Sequence, residues 1–237
     1  MSEQNINELK LQLAKSIRML ENIQLLDMNG HVSVRLPGTD YFLINARKAS
    51  RASVKADDIV VCDLNGQLVE GISEPPSEVY IHNAIYKRRS DVSSIVHGHP
   101  HWQTVLGIAD IPFQPVFMLG SFVEQCNMFE DSSLINTPEQ GEELAAALGN
   151  DPVLQLRHHG NVVVSDSLKS AFAATVYVEE HAKKLYYATL AAADKIKVLE
   201  GDNLVRTRET AWTPKIVEKV WNYYHEKSER NNVFAGI

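Results

Sequence analysis

His97 and His99 stand two residues apart in Val96-His97-Gly98-His99-Pro100. On a strand, residues at that spacing point to the same side. Two imidazoles can thus be offered to one divalent cation, and neutral histidine suits zinc, manganese or iron. A pair of buried, hydrogen-bonded core histidines would show the same spacing. Arg157-His158-His159-Gly160 supplies a third candidate. Neighbouring strand residues face opposite ways, so at most one of these two histidines joins the same centre. His159, beside a glycine that lets the chain turn closely around a bound group, is the expected ligand. His158 is expected to support the ligands or face the substrate, and two solvated histidines in a turn are the alternative. Glu78 is the carboxylate expected beside them, because the stiff segment Ser73-Glu74-Pro75-Pro76-Ser77 can set the first turn of a helix against a site. There it can ligate a metal, move a proton or merely complement the helix dipole. Glu74 competes with it, and residue type alone does not choose between them.

These side chains need a frame. Ile6, Leu9, Leu13, Ile17, Leu20 and Ile23 recur at three- and four-residue steps, which predicts an amphipathic helix over 6–26. Two hairpins follow, one turning at Pro37-Gly38-Thr39-Asp40 and one at Asn65-Gly66. A helix is expected from Glu78 to about Arg89 with Ser77 as its N-cap, then a short buried strand ending near His97. Thr137-Pro138 opens a helix that stops at Gly149. Strands are expected at 153–156 and 161–164, a long helix from about Leu168 to Ala193, and a shorter one from Lys215 to Glu226. Without repeats or an evident linker, residues 1–237 read as a single α/β domain. The hairpins favour a mixed or largely antiparallel sheet over a doubly wound parallel one.

Composition narrows the function classes. The 237 residues are 44% hydrophobic and 22% charged, with a net charge of −7. That balance gives no basic footprint for nucleic acid. No run approaches the roughly 20 apolar residues of a membrane span. The start, Met1-Ser2-Glu3-Gln4-Asn5, has no signal-peptide pattern. Cys62 and Cys126 form no CxxC, so two free thiols and a cytoplasmic location are expected. A chain of this length can bury a core without a structural metal, so any metal is expected to serve chemistry.

The combination of Gly30-His31-Val32-Ser33, Pro76-Ser77-Glu78, His97-Gly98-His99-Pro100 and His158-His159-Gly160 resembles the class II aldolase/adducin family over roughly residues 8–200. The resemblance implies a three-layer α/β/α fold around a central, largely antiparallel mixed sheet. It further implies one divalent metal ion per subunit (zinc, manganese or cobalt) on His97, His99 and His159, with Glu78 as general acid/base. A homotetramer with active sites at subunit interfaces is implied too, a C-terminal group of a neighbour completing each site, which directs attention to Tyr223 and Tyr224.

Sugar-phosphate members normally carry Gly-Asn where this chain has Gly30-His31, and Ser-Ser where it has Pro76-Ser77. The chain therefore looks more like the decarboxylase branch, whose members act on hydroxylated aromatic or pyridine carboxylates. The expected function is a metal-dependent carbon–carbon lyase, decarboxylating a small carboxylate, with Glu78 and His31 as catalytic groups. Ser77, His158, Tyr224 and one of Arg47, Lys48 and Arg51 are expected to bind substrate, an arginine fork matching a carboxylate. Aldol cleavage or epimerisation of a sugar or hydroxy acid needs the same electron sink and is the alternative. A non-catalytic adducin-like scaffold is opposed by the complete ligand set.

Overall fold

The computed structural model describes residues 3–192 and 195–237; Met1 and Ser2, and the expected helix end at Ala193, lie outside them. Among the described residues, eight strands form one sheet in the order β4-β3-β2-β1-β5-β8-β7-β6. They are β1 (His31–Arg35), β2 (Tyr41–Asn45), β3 (Ile59–Asp63), β4 (Leu68–Glu70), β5 (Ser94–Gly98), β6 (Asn127–Phe129), β7 (Val153–Leu156) and β8 (Gly160–Ser165). All neighbours pair antiparallel except β6 and β7. The expected mixed, largely antiparallel sheet is what forms. Gly38 and Gly66 take the positive φ angles that the two front hairpins require.

The helices are α1 (Glu3–Asn22), α2 (Val79–Arg88), α3 (His101–Ile108), α4 (Pro138–Leu148), α5 (Leu168–Ala192), α6 (Gly201–Ala211) and α7 (Pro214–Arg230). Helix α2 meets the sheet side that carries Ser33 and packs on α4. On the other side α1 touches β1, α3 touches β7 and β8, and α5 touches β5 and β8. Ile17, Leu20, Val32, Val96, Val163, Phe172 and Val178 are fully buried in the core cluster on this framework. Inside α1, buried Arg18 donates to the carbonyls of Ser53, Val54, Val233 and Ala235. It thereby pins the loop after β2 to the C-terminal segment. Both cysteines are free.

Several expectations are corrected. Helix α1 ends at Asn22, before 26, because Gln24 turns into the left-handed region. Ser77 is exposed and does not cap α2; Glu78 holds the N-cap position without a side-chain cap bond, since its carboxylate turns into the molecule. Helix α7 begins at Pro214, capped by Thr213, and runs on to Arg230. Helix α3, helix α6 and strand β6 were not expected from the sequence pattern.

Candidate metal centre

The sheet register brings the candidates together. His31 opens β1 directly across from His97 on β5, so both rings project to the α2 side, with centroids 4.8 Å apart. Gly98 ends β5 and His99 follows. His158 and His159 lie in the tight turn joining β7 to β8, not on a strand; His158 takes a left-handed φ of 57°. This reversal leaves His158 exposed and turns His159 toward the other histidines. The rings of His97, His99 and His159 form a triangle with centroid separations of 5.1 to 5.3 Å.

One ring nitrogen of each of these three histidines lies within 4.8 Å of the others. Histidine nitrogens gathered this closely suit a single divalent ion. Glu78 projects from the start of α2 into the same space. Its Oε2 is 3.6 Å from the Nε2 atoms of both His31 and His97, and its Oε1 is 3.6 Å from His159 Nε2. These gaps exceed a hydrogen bond. The Ile135 N–H donates to Oε1 at 3.2 Å and steadies the carboxylate.

The centre is also electrostatically prepared for a cation. Burial disfavours the charged imidazole: His97 falls well below the ordinary value, His159 is lowered although Glu78 opposes the shift, and His31, with Arg51 nearby, drops to about 3. Outer hydrogen bonds decide which nitrogen is free. His97 Nδ1 donates to the Asn161 carbonyl at 2.9 Å and His99 Nδ1 donates to Asp27 Oδ2 at 2.9 Å. The lone pairs of both rings are left on Nε2. Both of these Nε2 atoms are buried and, among the described residues, lack hydrogen-bond partners. Orphaned nitrogens converging beside a carboxylate are costly unless something occupies the space between them; a divalent ion fits the donor set.

Asp27 escaped the sequence reading. It accepts from the backbone N–H groups of Asn29 and Gly30 as well as from His99. Its partner lies 72 residues away, and only the Asx-type turn before Gly30 could have hinted at it. His82 also escaped, because on α2 it reads as one more buried helix residue. Of the three basic candidates, Arg47 and Lys48 are exposed and Arg51 is buried. Arg51 Nε donates to the Gly30 carbonyl at 2.6 Å, one residue before His31. With Met28, Arg47, Lys48 and Ser50 it lines a cavity of about 330 Å³. Glu74 is exposed, with its side chain outside the histidine cluster. Tyr223 is exposed, while Tyr224 packs on Phe172 and lines a different cavity with His101 and Glu179.

The mixed sheet between helices carries three histidines and a glutamate that could hold a metal ion. Residues 12–186 match the model of the class II aldolase and adducin N-terminal domain, and the chain belongs to that family. It is 31% identical over 176 residues to an L-fuculose phosphate aldolase of Escherichia coli O6:H1, covering 74% of this chain and 80% of the relative. It is 26% identical over 184 residues to a 3,4-dihydroxyphthalate decarboxylase of Arthrobacter keyseri, covering 70% and 73%. Among solved structures, an aldolase II superfamily protein from Pseudomonas syringae superposes with a TM-score of 0.85 at 23% identity, over 98% of this chain and 96% of that one. An L-fuculose 1-phosphate aldolase from Glaciozyma antarctica gives 0.83 at 19% identity, over 97% and 92%. These two likenesses support the fold. Among the described residues no helix is long and apolar enough to cross a membrane.

Proposed function

We propose that this chain, working as one domain, is a divalent-metal-dependent carbon–carbon lyase that decarboxylates a small hydroxylated aromatic or heteroaromatic carboxylate. The observation that carries the reading is the convergence of ligand nitrogens from His97, His99 and His159 beside the buried Glu78 carboxylate. A divalent ion held by His97, His99 and His159 would supply Lewis acidity toward a substrate oxygen beside the breaking bond. Zinc, manganese and cobalt suit the donor set.

The chain's own residues account for the rest. The hydrogen bonds to Asn161 and Asp27 occupy Nδ1 of His97 and His99 and leave Nε2 of each ring facing the site. When carbon dioxide leaves, its electron pair stays on the substrate carbon and a proton must take its place. Glu78 sits where it can deliver that proton, and His31 Nε2 faces the same volume from the other side. Imidazole replaces the amide that phosphate-using members carry at position 31, and Pro76 removes a hydroxyl. Arg47 Nε is tied to the Pro75 carbonyl at 3.2 Å, beside Ser77. Arg51 adds positive charge next to His31. A second substrate carboxylate would find its cationic partner in one of these arginines.

The aldolase reading has its own support in the 31% identical fuculose phosphate relative. Products separate the two. Incubation of the metal-loaded enzyme with 3,4-dihydroxyphthalate and related hydroxy-carboxylates should release carbon dioxide and no aldehyde. Aldehyde formation from a sugar phosphate, without decarboxylation, would replace this proposal with the alternative. A homotetramer, a cytoplasmic location and a Tyr224 contact to a neighbour's substrate belong to the same reading; sedimentation of the metal-loaded protein tests the first.

A further inference from the structure

Behind His31 runs a chain of buried polar side chains that no ligand role explains. His31 Nδ1 lies 2.6 Å from His82 Nε2, His82 Nδ1 lies 2.6 Å from Ser33 Oγ, and Ser33 Oγ lies 2.7 Å from the Tyr86 hydroxyl. All four residues are at least 98% buried. Such a row can carry its protons in either of two directions, and the direction fixes what His31 presents to the metal centre. With the proton on Nε2, His31 is a hydrogen-bond and proton donor. With the proton on Nδ1, it offers a lone pair and becomes a fourth nitrogen ligand beside His97 and Glu78.

The far end of the row decides. The Tyr86 hydroxyl has one proton and two oxygens in view: Ser33 Oγ at 2.7 Å and the Ser93 carbonyl at 3.5 Å. Only the first is a good hydrogen bond, so the phenol donates to Ser33. The Arg35 guanidinium, 4.7 Å over the Tyr86 ring, strengthens that donor. Ser33 Oγ has two partners, Tyr86 and His82. Receiving from the first, it passes its own proton to Nδ1 of the second. His82 must then carry its proton on Nε2 and donate it to His31 Nδ1. One position remains for the His31 proton: Nε2, the atom 3.6 Å from Glu78 Oε2.

We infer that Tyr86, Ser33 and His82 form a one-way hydrogen-bond chain that fixes His31 as an Nε2–H donor to the reacting group and keeps it from ligating the metal. His82, Ser33 and Tyr86 are positioning residues; His31 is the group that touches substrate. His97 and His99 show the opposite arrangement, each donating through Nδ1. The inference rests on the reading of the site as a metal-dependent lyase, but its first test needs no turnover.

Histidine-¹⁵N-labelled, zinc-loaded protein gives a two-bond proton–nitrogen correlation spectrum that reports the tautomer of each ring, with His31 assigned by the signal lost in His31→Asn. His31 should appear as the Nε2–H tautomer, while His97 and His99 appear as Nδ1–H. An Nδ1–H or zinc-coordinated His31 overturns the inference. Zinc affinity gives a second reading, by competition with a chromophoric chelator. His31→Asn should bind zinc within about threefold of the parent, whereas His97→Ala should lose at least about 100-fold; a comparable loss in His31→Asn would make it a ligand. Tyr86→Phe frees Ser33 to accept from His82, so His31 should become a mixture of tautomers. Its kcat should fall about two- to tenfold, with KM and zinc content unchanged. A single unchanged tautomer in Tyr86→Phe removes Tyr86 from the chain. A protein with the predicted tautomers that cleaves no hydroxy-carboxylate sinks the decarboxylase reading alone, and the reverse tautomer in an active enzyme sinks this inference alone.

Discussion

His97, His99 and His159 are equivalent in type and different in support. His97 leans on a backbone carbonyl and His99 on the Asp27 carboxylate, while among the described residues His159 Nδ1 has no partner. Removing either of the first two supports should loosen its ligand. We expect Asp27→Ala to weaken zinc binding about 10- to 100-fold, measured by chelator competition; an unchanged affinity would show that His99 needs no orienting partner. Glu78→Gln should retain the metal within a few-fold and lose at least about 100-fold in kcat. Near-normal turnover in that variant would remove Glu78 from proton transfer. At this scale the sequence was informative where chemistry is written into local spacing. His97-Gly98-His99, the glycine after His159 and the stiff Pro75-Pro76 approach to Glu78 were all readable. Asp27 and His82 were not, because each acts through a partner on another element, 72 and 51 residues away respectively.

Among the elements, hairpins, long amphipathic helices and capped helix starts were legible, since turn chemistry and 3.6-residue periodicity are local properties. Thr137 caps α4 and Gly149 ends it in a positive φ, as its residue types require. Helix α3 was hidden because its start is held from afar: Glu179 on α5 accepts from the backbone N–H groups of Trp102 and Gln103 at 2.7 and 2.9 Å. That pair of charge-assisted bonds does the work of a cap, 77 and 76 residues away in sequence. Strand β6 has three residues and pairs parallel to β7, too short for any alternation to register. The turn at Gly160 shows how tightly elements meet at the centre: a Cβ there would lie 2.2 Å from the Gly98 carbonyl oxygen and 2.9 Å from His99 Cδ2. Gly160→Ala should therefore push the β7–β8 turn off β5. We expect a stability loss of about 1–3 kcal/mol by urea unfolding, together with weaker zinc binding. A variant that is as stable and binds zinc as well as the parent would mean the turn can yield without moving His159.

For the molecule as a whole, the sheet order places the most buried strands under the site, and the helices bury histidines with it. His181 on α5, stacked on Phe113 and donating to the Gln114 carbonyl at 2.6 Å, is lowered to about 4 by burial. His31 drops to about 3, and His82 falls well below the ordinary value for the same cause. Their folded values lie below the unfolded value of about 6.5. On acidification the unfolded chain takes up these protons first. Stability is thus complete above about pH 6.5 and falls as pH drops toward 4, each group contributing up to about 1.4 kcal/mol per pH unit. Urea midpoints of the metal-free protein should fall clearly between pH 7 and pH 5, and His181→Gln should make that decline shallower; an equal slope in the variant would contradict the assignment. His97, His99 and His159 are proposed to hold the metal, with Glu78 beside it. Anomalous diffraction at the zinc edge, from crystals grown with zinc, tests it most directly. One peak bonded to nitrogens of those three histidines is expected; no peak there, or a peak on His31, Glu78 and His97 with His99 and His159 unbound, would overturn the assignment.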